Sequence, residues 1–230
     1  SKSYEGLEAA YLYLTGGEIT VMASDDGLNA AGGSDGSSVN GRPGQNNFST
    51  IEDAIIQISG GTVTLNAGGD GVDSNGDIEL TGGSLFVSGP TDAGNGAIDY
   101  EGEFRMEGGL LAAAGSAGMA MSPSSGSSQP FVIVNLASSR AAGTAVSLQD
   151  ENGTTIITFT PQKTYANVVV STPDMKSGAT YTCLIGEEEI GEVTLSSGSN
   201  SLSEDGASPG GTMNPGESNP ADKPGDNPPS

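Results

Sequence analysis

The chain has 230 residues, and its 7 basic and 29 acidic side chains give it a formal net charge of −22 at pH 7. An acidic surface of this kind argues against binding to nucleic acid or to anionic membranes by charge. Because the chain has no histidine and a single cysteine, Cys183, it cannot contain a Ser-His-Asp triad, an ordinary zinc site or an intrachain disulfide.

A pair of glycines recurs four times, each time between two short segments in which apolar and polar residues alternate. The pairs begin at Gly16, Gly60, Gly82 and Gly108, so their spacings of 44, 22 and 26 residues give a basic period of 22. Apolar residues stand four and two positions before, and three and five after, each first glycine: Leu12, Leu14, Ile19 and Val21; Ile56, Ile58, Val63 and Leu65; Ile78, Leu80, Leu85 and Val87; Phe104, Met106, Leu111 and Ala113.

The repeat predicts an all-β fold. Alternation with a period of two predicts strands with one buried face, and a repeat of this length is typical of solenoids. We therefore expect residues 1–121 to form a right-handed parallel β-helix of about four coils, with a Gly-, Ser- and Asn-rich loop inserted at residues 32–50. An up-and-down antiparallel meander is the competing fold.

The two ends of the chain differ from the repeats. Residues 3–8 resemble a coil corner whose strands are missing, so we expect the C-terminal part of a longer solenoid, monomeric, with an apolar unpaired edge at its first coil. Residues 122–196 contain alternating runs separated by turn signals, which predict a small antiparallel β unit packed on the solenoid end. Residues 197–230 are rich in Gly, Pro and Ser and predict a disordered tail.

The corner after each repeated segment carries acids or amides in a fixed pattern: acid or amide, Gly, apolar, acid or amide. Stacked coils would place equivalent side chains about 4.8 Å apart, which predicts two ladders of oxygen-bearing side chains. Calcium accepts oxygen ligands at roughly 2.3–2.6 Å, so one ion fits between two stacked carboxylates. Turn-forming residues chosen for their backbone are the alternative explanation. The candidate calcium ligands are Glu5, Glu8, Asp25, Asp26, Asn29, Asp70, Asp73, Asn95 and Asp99.

Several stretches resemble a known family. These are the repeated Thr/Ser-Gly-Gly strands, the corners at 24–29 and 69–73, the stretch from Ser88 to Tyr100 and the block at 146–161. They are similar to secreted bacterial carbohydrate-binding β-helix proteins, the clostridial cellulose- and acid-sugar-binding group with pectate-lyase-like architecture. The resemblance covers about residues 3–186 and lacks that family's N-terminal half. It implies calcium-dependent polysaccharide binding at the cell exterior, without established catalysis.

We therefore expect a secreted or cell-surface, non-catalytic protein that binds plant cell-wall polysaccharide, either acidic sugars such as polygalacturonate or cellulose, with the help of Ca²⁺. Neutral glucans would need aromatic platforms, for which Tyr11, Tyr13 and Tyr100 are the candidates. One alternative is a pectate-type polysaccharide lyase, whose only plausible base is Arg105. The other is a structural stalk or adhesin stiffened by calcium.

Overall fold

The computed structural model describes residues 2–30, 54–205 and 207. The predicted insertion at 32–50 and most of the predicted tail lie outside the described residues. Within them the protein is all-β, with fifteen strands and no helix. No helix in the described part of the chain could span a membrane.

The N-terminal half alternates short and long strands that pair in parallel. The short strands β1, β3, β5 and β7 form one four-stranded sheet in that order, and the long strands β2, β4, β6 and β8 are consecutive neighbours in another. Their bounds are β1 Leu7–Glu8, β2 Tyr11–Met22, β3 Leu28–Ala30, β4 Ile55–Asn66, β5 Val72–Ser74, β6 Asp77–Ser88, β7 Ile98–Tyr100 and β8 Phe104–Gly115.

The long strands stack in the register that the glycine pairs predict. Leu12 pairs with Ile56, Ile56 with Ile78, and Ile78 with Phe104. The second glycine of each pair has a positive φ between 76° and 87°, a conformation that residues with a Cβ rarely adopt. Each long strand therefore continues past a sharp irregularity that only glycine accommodates, which is why the pair recurs.

The C-terminal half adds seven strands: β9 Phe131–Arg140, β10 Val146–Asp150, β11 Thr155–Phe159, β12 Tyr165–Ser171, β13 Thr180–Ile185, β14 Glu188–Thr194 and β15 Ser199–Ser203. Four of them form an antiparallel sheet in the order β11-β10-β13-β14. The other three continue the sheet of long strands, in the order β15-β9-β12-β8-β6-β4-β2. In this sheet β12 pairs antiparallel with β8 and β9, and β15 pairs parallel with β9.

The predicted all-β class is confirmed, but the predicted right-handed parallel β-helix of about four coils, followed by a small antiparallel β unit packed on its end, is wrong. The described chain forms one parallel, one antiparallel and one mixed sheet, and the mixed sheet joins the repeats to the C-terminal strands. The physical reason lies in β8, β9 and β12, whose apolar side chains are buried on both faces, as Ala112 and Ala113 show in β8. A strand of this kind needs neighbours and a covering layer on each side, and the repeat gives no information about either.

Two apolar cores follow from this arrangement. The first lies among the repeats and contains the inward residues of β4, β6 and β8 with Leu28, Val72 and Ile98 from the short strands. The second packs the antiparallel sheet against the opposite face of the mixed sheet and contains Cys183, which is fully buried. Burial raises the pKa of the Cys183 thiol to about 12, as is typical of a structural rather than a nucleophilic cysteine.

The predicted boundaries of the C-terminal half are close to those observed, with two differences. Of the alternating runs in residues 122–196, those at 131–136, 155–159, 167–170 and 180–184 lie in β9, β11, β12 and β13, and the run at 145–148 begins one residue before β10. The sequence did not predict β14, three of whose seven residues are glutamates, or β15, which lies inside the predicted disordered tail. β15 is ordered because it pairs with β9 and because Asn200 bonds to the backbone carbonyls of Phe131, Ser196 and Gly198.

Candidate functional site: the acidic corner

The corners before β1, β3 and β5 are each built around a glycine that has no room for a side chain, Gly6, Gly27 and Gly71, whereas Ala97 takes this position before β7. A Cβ on Gly27 would lie 2.5 Å from the carbonyl oxygen of Gly71, and one on Gly71 would lie 2.4 Å from that of Ala97. The next residue in each corner points inward, and Leu28, Val72 and Ile98 are fully or almost fully buried. The glycine lets successive corners approach closely, and the buried residue fixes their register.

The first ladder runs through Glu5, Asp26 and Asp70, which occupy equivalent corner positions. The Asp26 carboxylate accepts a hydrogen bond from the backbone N–H of Asp70 at 2.7 Å, and the Asp70 carboxylate accepts one from the backbone N–H of Gly96 at 2.6 Å. Each carboxylate therefore binds the next corner through its backbone, as the turn interpretation predicts. The other oxygen of each group is not used in this contact.

Asn95 does not continue this ladder. The fourth corner has one extra residue, and the backbone contacts place Gly96 beside Asp70. The side chain of Asn95 instead donates to Asp92 at 3.4 Å. The sequence pattern counted the Asn-Gly pair as equivalent to the Asp-Gly pairs, whereas the added residue displaces Asn95 from the column.

The second ladder stacks as predicted. Glu8 pairs with Asn29, Asn29 with Asp73, and Asp73 with Asp99, each on neighbouring strands of the parallel sheet of short strands. Side chains in such positions lie about 4.8 Å apart. One amide therefore separates the exposed Glu8 from two aspartates that are largely withdrawn from water.

The two ladders meet at Asn29. Its amide nitrogen donates to the second carboxylate oxygen of Asp26 at 3.3 Å, while its own amide oxygen is buried without a hydrogen-bond partner. Asn29 is only 7% exposed. Both carboxylate oxygens of Glu5 are also buried and have no partner. Three buried oxygen acceptors thus lack a donor in two stacked corners, and buried acceptors are normally satisfied. We call this stack of successive corners the acidic corner.

The carboxylic acids at this corner have raised pKa values. Burial, reinforced by the neighbouring acids, raises the pKa of Glu5 to about 7, of Asp26 to about 6, of Asp70 to about 8 and of Asp73 to about 9. Burial also raises the pKa of Asp99. Fully ionised, these groups would repel one another in a poorly hydrated site, so the corner favours protons or cations.

Asp25 lies at the outer side of the same corner. It acts on Tyr4, whose pKa rises to about 12, chiefly through a hydrogen bond with Asp25. Tyr4 was not among the residues that the sequence indicated, because nothing in the repeat predicts a tyrosine at this position. In addition to the acids, the Tyr4 hydroxyl is a polar group that a ligand at the corner would meet.

The geometry does not present a ready-made centre of several acids. Within the described ranges no group of three or more Asp, Glu, Cys or His side chains converges closely enough to hold a metal ion. The oxygen atoms that lack partners belong to Glu5 and to the Asn29 amide. Any cation here would therefore draw on a mixed set of carboxylate, amide and backbone oxygens, a combination that calcium accepts.

A second set of charged residues lies on the long strands. Arg105 of β8 forms ion pairs with Asp77 at 3.0 Å, with Glu103 at 3.2 Å and with Glu79, which also accepts from Gln57 at 2.7 Å. These acids raise the pKa of Arg105, and Arg105 lowers the pKa of Glu79. Arg105 is thus held protonated between acids. Its three carboxylate partners lie in the neighbouring strand β6 or just before β8.

The three tyrosines predicted as aromatic platforms differ in their exposure to solvent. Tyr11 and Tyr13 are 52% and 58% exposed on β2. Tyr100 is only 6% exposed, and its hydroxyl donates to the carbonyl of Ser122. Tyr100 therefore cannot stack on a sugar ring.

Comparison with protein-family models, curated proteins and solved structures found no match to this chain. The resemblance to the clostridial carbohydrate-binding group therefore stays a prediction from the motifs.

Proposed function

We propose that the acidic corner binds calcium and, through it, an acidic extracellular polysaccharide. The observation that carries this proposal is the set of buried oxygens without donors on Glu5 and Asn29, inside a cluster of acids whose pKa values are raised. A cation would satisfy these oxygens and would remove the repulsion among the acids.

Calcium fits this corner better than the other common ions. It takes six to eight oxygen ligands in flexible geometry, including carboxylates, amide oxygens and backbone carbonyls. The residues best placed to hold it are Asp26, Asn29 and Asp73, with Glu5 beside them. Zinc prefers nitrogen and sulfur ligands, and the chain has no histidine and only the buried Cys183.

The sugar follows from the charge. A protein with a net charge of −22 repels a polyuronate unless a cation lies between them. Calcium that keeps open coordination positions can bind a uronate carboxylate, so protein and sugar would share the ion. Extracellular calcium modules bind with dissociation constants of roughly 10⁻⁴–10⁻³ M, so a secreted or cell-surface protein would need only millimolar calcium to fill the site.

A neutral glucan such as cellulose is the second candidate ligand. The exposed rings of Tyr11 and Tyr13 favour it, because they lie on one face of β2 two residues apart. Such rings offer apolar faces to the C–H groups of a sugar ring. A ligand held in this way would not depend on calcium.

The lyase alternative requires a base, and the position of Arg105 argues against it in that role. An arginine with three carboxylate partners loses its proton less readily than an isolated one. The proposal is therefore binding without catalysis. Polygalacturonate incubated with the protein and calcium should release no unsaturated products that absorb in the ultraviolet.

The deciding experiment is a pull-down on insoluble polygalacturonate and on cellulose, in millimolar calcium and in chelator. We expect retention on polygalacturonate only in calcium, and its loss in the double variant Asp70→Asn with Asp73→Asn. Both asparagines keep an oxygen acceptor, so the backbone hydrogen bond to Gly96 can persist.

The matched control removes two exposed acids elsewhere, through Glu189→Gln with Glu192→Gln on β14. This variant should bind as the unmodified chain does. Retention that is equal in calcium and in chelator would overturn the calcium mechanism. Absence of retention on every polysaccharide, together with calcium-dependent stability, would leave the stalk function instead.

A further inference from the structure

The loop between β11 and β12, residues 160–164, reaches from the C-terminal half of the chain to the repeats. Both of its ends are anchored. On one side Phe159 is buried and its ring stacks on that of Phe86 in β6, with 6.0 Å between the ring centroids. On the other side Tyr165 is buried, and its hydroxyl donates to the carbonyl of Thr144. The side chains of the loop therefore meet the repeats at defined positions.

Gln162 of this loop contacts two successive repeats. Its backbone N–H donates to the hydroxyl of Ser88 at 3.0 Å, and its side-chain carbonyl accepts from the amide of Asn66 at 3.1 Å. Asn66 and Ser88 are paired residues at the ends of β4 and β6. The loop thus joins the two long strands at the point where each strand ends.

Lys163 bridges the next residue of each strand. Its ammonium donates to the backbone carbonyl of Ala67, directly after β4, and to that of Gly89, directly after β6, the latter at 3.1 Å. Ala67 and Gly89 are buried, and Lys163 is half-buried. Burial lowers the pKa of Lys163, an effect that the nearby Asp92 opposes. Hydrogen bonds from a charged donor are stronger than those between neutral groups, so this contact holds the two turns together more strongly than a neutral side chain would.

The turn after β4 packs directly against acids of the corner. The N–H groups of Gly68 and Gly69 both donate to the carbonyl of Asp25 at 3.1 Å, and a Cβ on Gly69 would lie 2.4 Å from a carboxylate oxygen of Asp26. Asp70 follows immediately, and its N–H donates to the same Asp26 oxygen. The position of this turn therefore fixes the distance between Asp26 and Asp70.

The turn after β6 packs against the backbone that Asp70 binds. A Cβ on Gly89 would lie 2.7 Å from the Cα of Ala97. Gly96, the residue before Ala97, donates its N–H to the Asp70 carboxylate at 2.6 Å. Lys163 therefore holds the turns that support both sides of the contact between Asp70 and Gly96.

We propose that Lys163 is a positioning residue of the acidic corner, which joins the turns after β4 and β6 and so keeps the corner in the stacked geometry that calcium would bind. It acts through the backbone carbonyls of Ala67 and Gly89. Its effect on calcium rests on the proposed function of the corner, whereas its effect on the geometry of the corner does not. The C-terminal half of the chain would then be part of the calcium site without supplying a ligand.

Three variants test this role. Lys163→Met removes the ammonium and keeps most of the aliphatic stem. Lys163→Arg keeps a positive charge and several donors. Lys176→Met makes the same change in charge at an exposed lysine in the turn between β12 and β13, so it is the matched control. Circular dichroism would verify that each variant folds.

Amide hydrogen exchange in chelator, followed by NMR, tests the geometry without calcium. The N–H groups of Asp70 and Gly96 should exchange about tenfold faster in the methionine variant, because their carboxylate partners are held less firmly. The arginine variant and the control should exchange as the unmodified chain does. The amides of Leu148 and Cys183, on inner strands of the antiparallel sheet, should keep their rates in all variants. Unchanged rates at Asp70 and Gly96 would overturn the proposal, and so would equal acceleration of all four amides.

Calorimetric titration with calcium tests the consequence for the site. The methionine variant should bind calcium about tenfold more weakly, as is typical when a residue that orients metal ligands is removed. The arginine variant and the control should keep the affinity of the unmodified chain. A methionine variant that binds calcium as tightly as the unmodified chain would overturn the role of Lys163 in calcium binding. An unmodified chain that binds no calcium would instead overturn the proposed function, while the exchange rates would still decide whether Lys163 holds the corner.

Discussion

Acids are brought together beside neighbouring parallel strands in two places, and in only one of these places does a basic side chain of the protein neutralise them. On the long strands Asp77, Glu79 and Glu103 surround Arg105, and the pKa of Glu79 is lowered. At the corner, burial and mutual repulsion raise the pKa values of the acids, and two residues keep buried oxygens without donors. The comparison teaches that stacking alone does not create a cation site. The proposed cation site lies where the chain brings acids together without a cation of its own.

The largest expected effect on stability comes from adding calcium, which would neutralise the acids of the corner as Arg105 neutralises those around it. Calcium at about one hundred times its dissociation constant should stabilise the folded protein by about 2.7 kcal/mol. The Asp70→Asn, Asp73→Asn variant should lose this response, and the Glu189→Gln, Glu192→Gln control should keep it. Thermal unfolding in calcium and in chelator measures the difference. Identical melting of the unmodified chain in both would contradict the site.

The second prediction concerns pH in the absence of calcium. Acids with raised pKa values bind more protons in the folded state, so their contribution to stability is complete below about pH 4. It is lost as the pH rises through the folded pKa values of about 6 to 9. We expect the free energy of unfolding to fall by at least about 2 kcal/mol between pH 5 and pH 9. Denaturant titrations in chelator measure it.

The matched variant sharpens this pH test. Asp70→Asn with Asp73→Asn removes two acids of the corner whose pKa values are raised to about 8 and about 9. Its stability should therefore depend less on pH than that of the unmodified chain. A profile as steep as the original would mean that other groups carry the dependence.

The third prediction concerns the long strands, where removal of Arg105 would leave its acidic partners without a neighbouring positive charge. Arg105→Met removes the shared cation but keeps most of the aliphatic stem. We expect a loss of about 1–2 kcal/mol at neutral pH, since Arg105 and its partners are partly exposed and solvent screens them. The pKa of Glu79 should rise, which side-chain NMR titration can follow. Unchanged stability and an unchanged Glu79 titration would show that the ion pairs do not balance this region.

The smallest effect on stability is expected at Asn95, which the extra residue in the fourth corner displaces from the ladder. Asn95→Ala should change stability by less than about 0.5 kcal/mol and should leave the calcium response intact, because Asn95 lies outside the ladder. Asn29→Ala is the informative partner, since Asn29 joins both ladders. An Asn95 variant that loses the calcium response as fully as the Asn29 variant would require a different ligand set.

The sequence by itself determined the repeat and its register. Apolar residues at fixed distances from each glycine pair specify which side chains are buried, and the structure aligns Leu12, Ile56, Ile78 and Phe104 accordingly. The same logic predicted the column of Glu8, Asn29, Asp73 and Asp99. These features depend on local alternation and on turn residues with few alternatives, so they can be read from one chain.

Only the tertiary structure decided how the sheets are joined and which corner atoms lack partners. The mixed sheet arises because β12 meets β8, a contact between residues more than 50 positions apart that no local pattern encodes. The displacement of Asn95 and the three carboxylate partners of Arg105 depend in the same way on what lies beside each residue in space. Alternation specifies a buried face, but the neighbour that covers it is chosen by packing across the whole molecule.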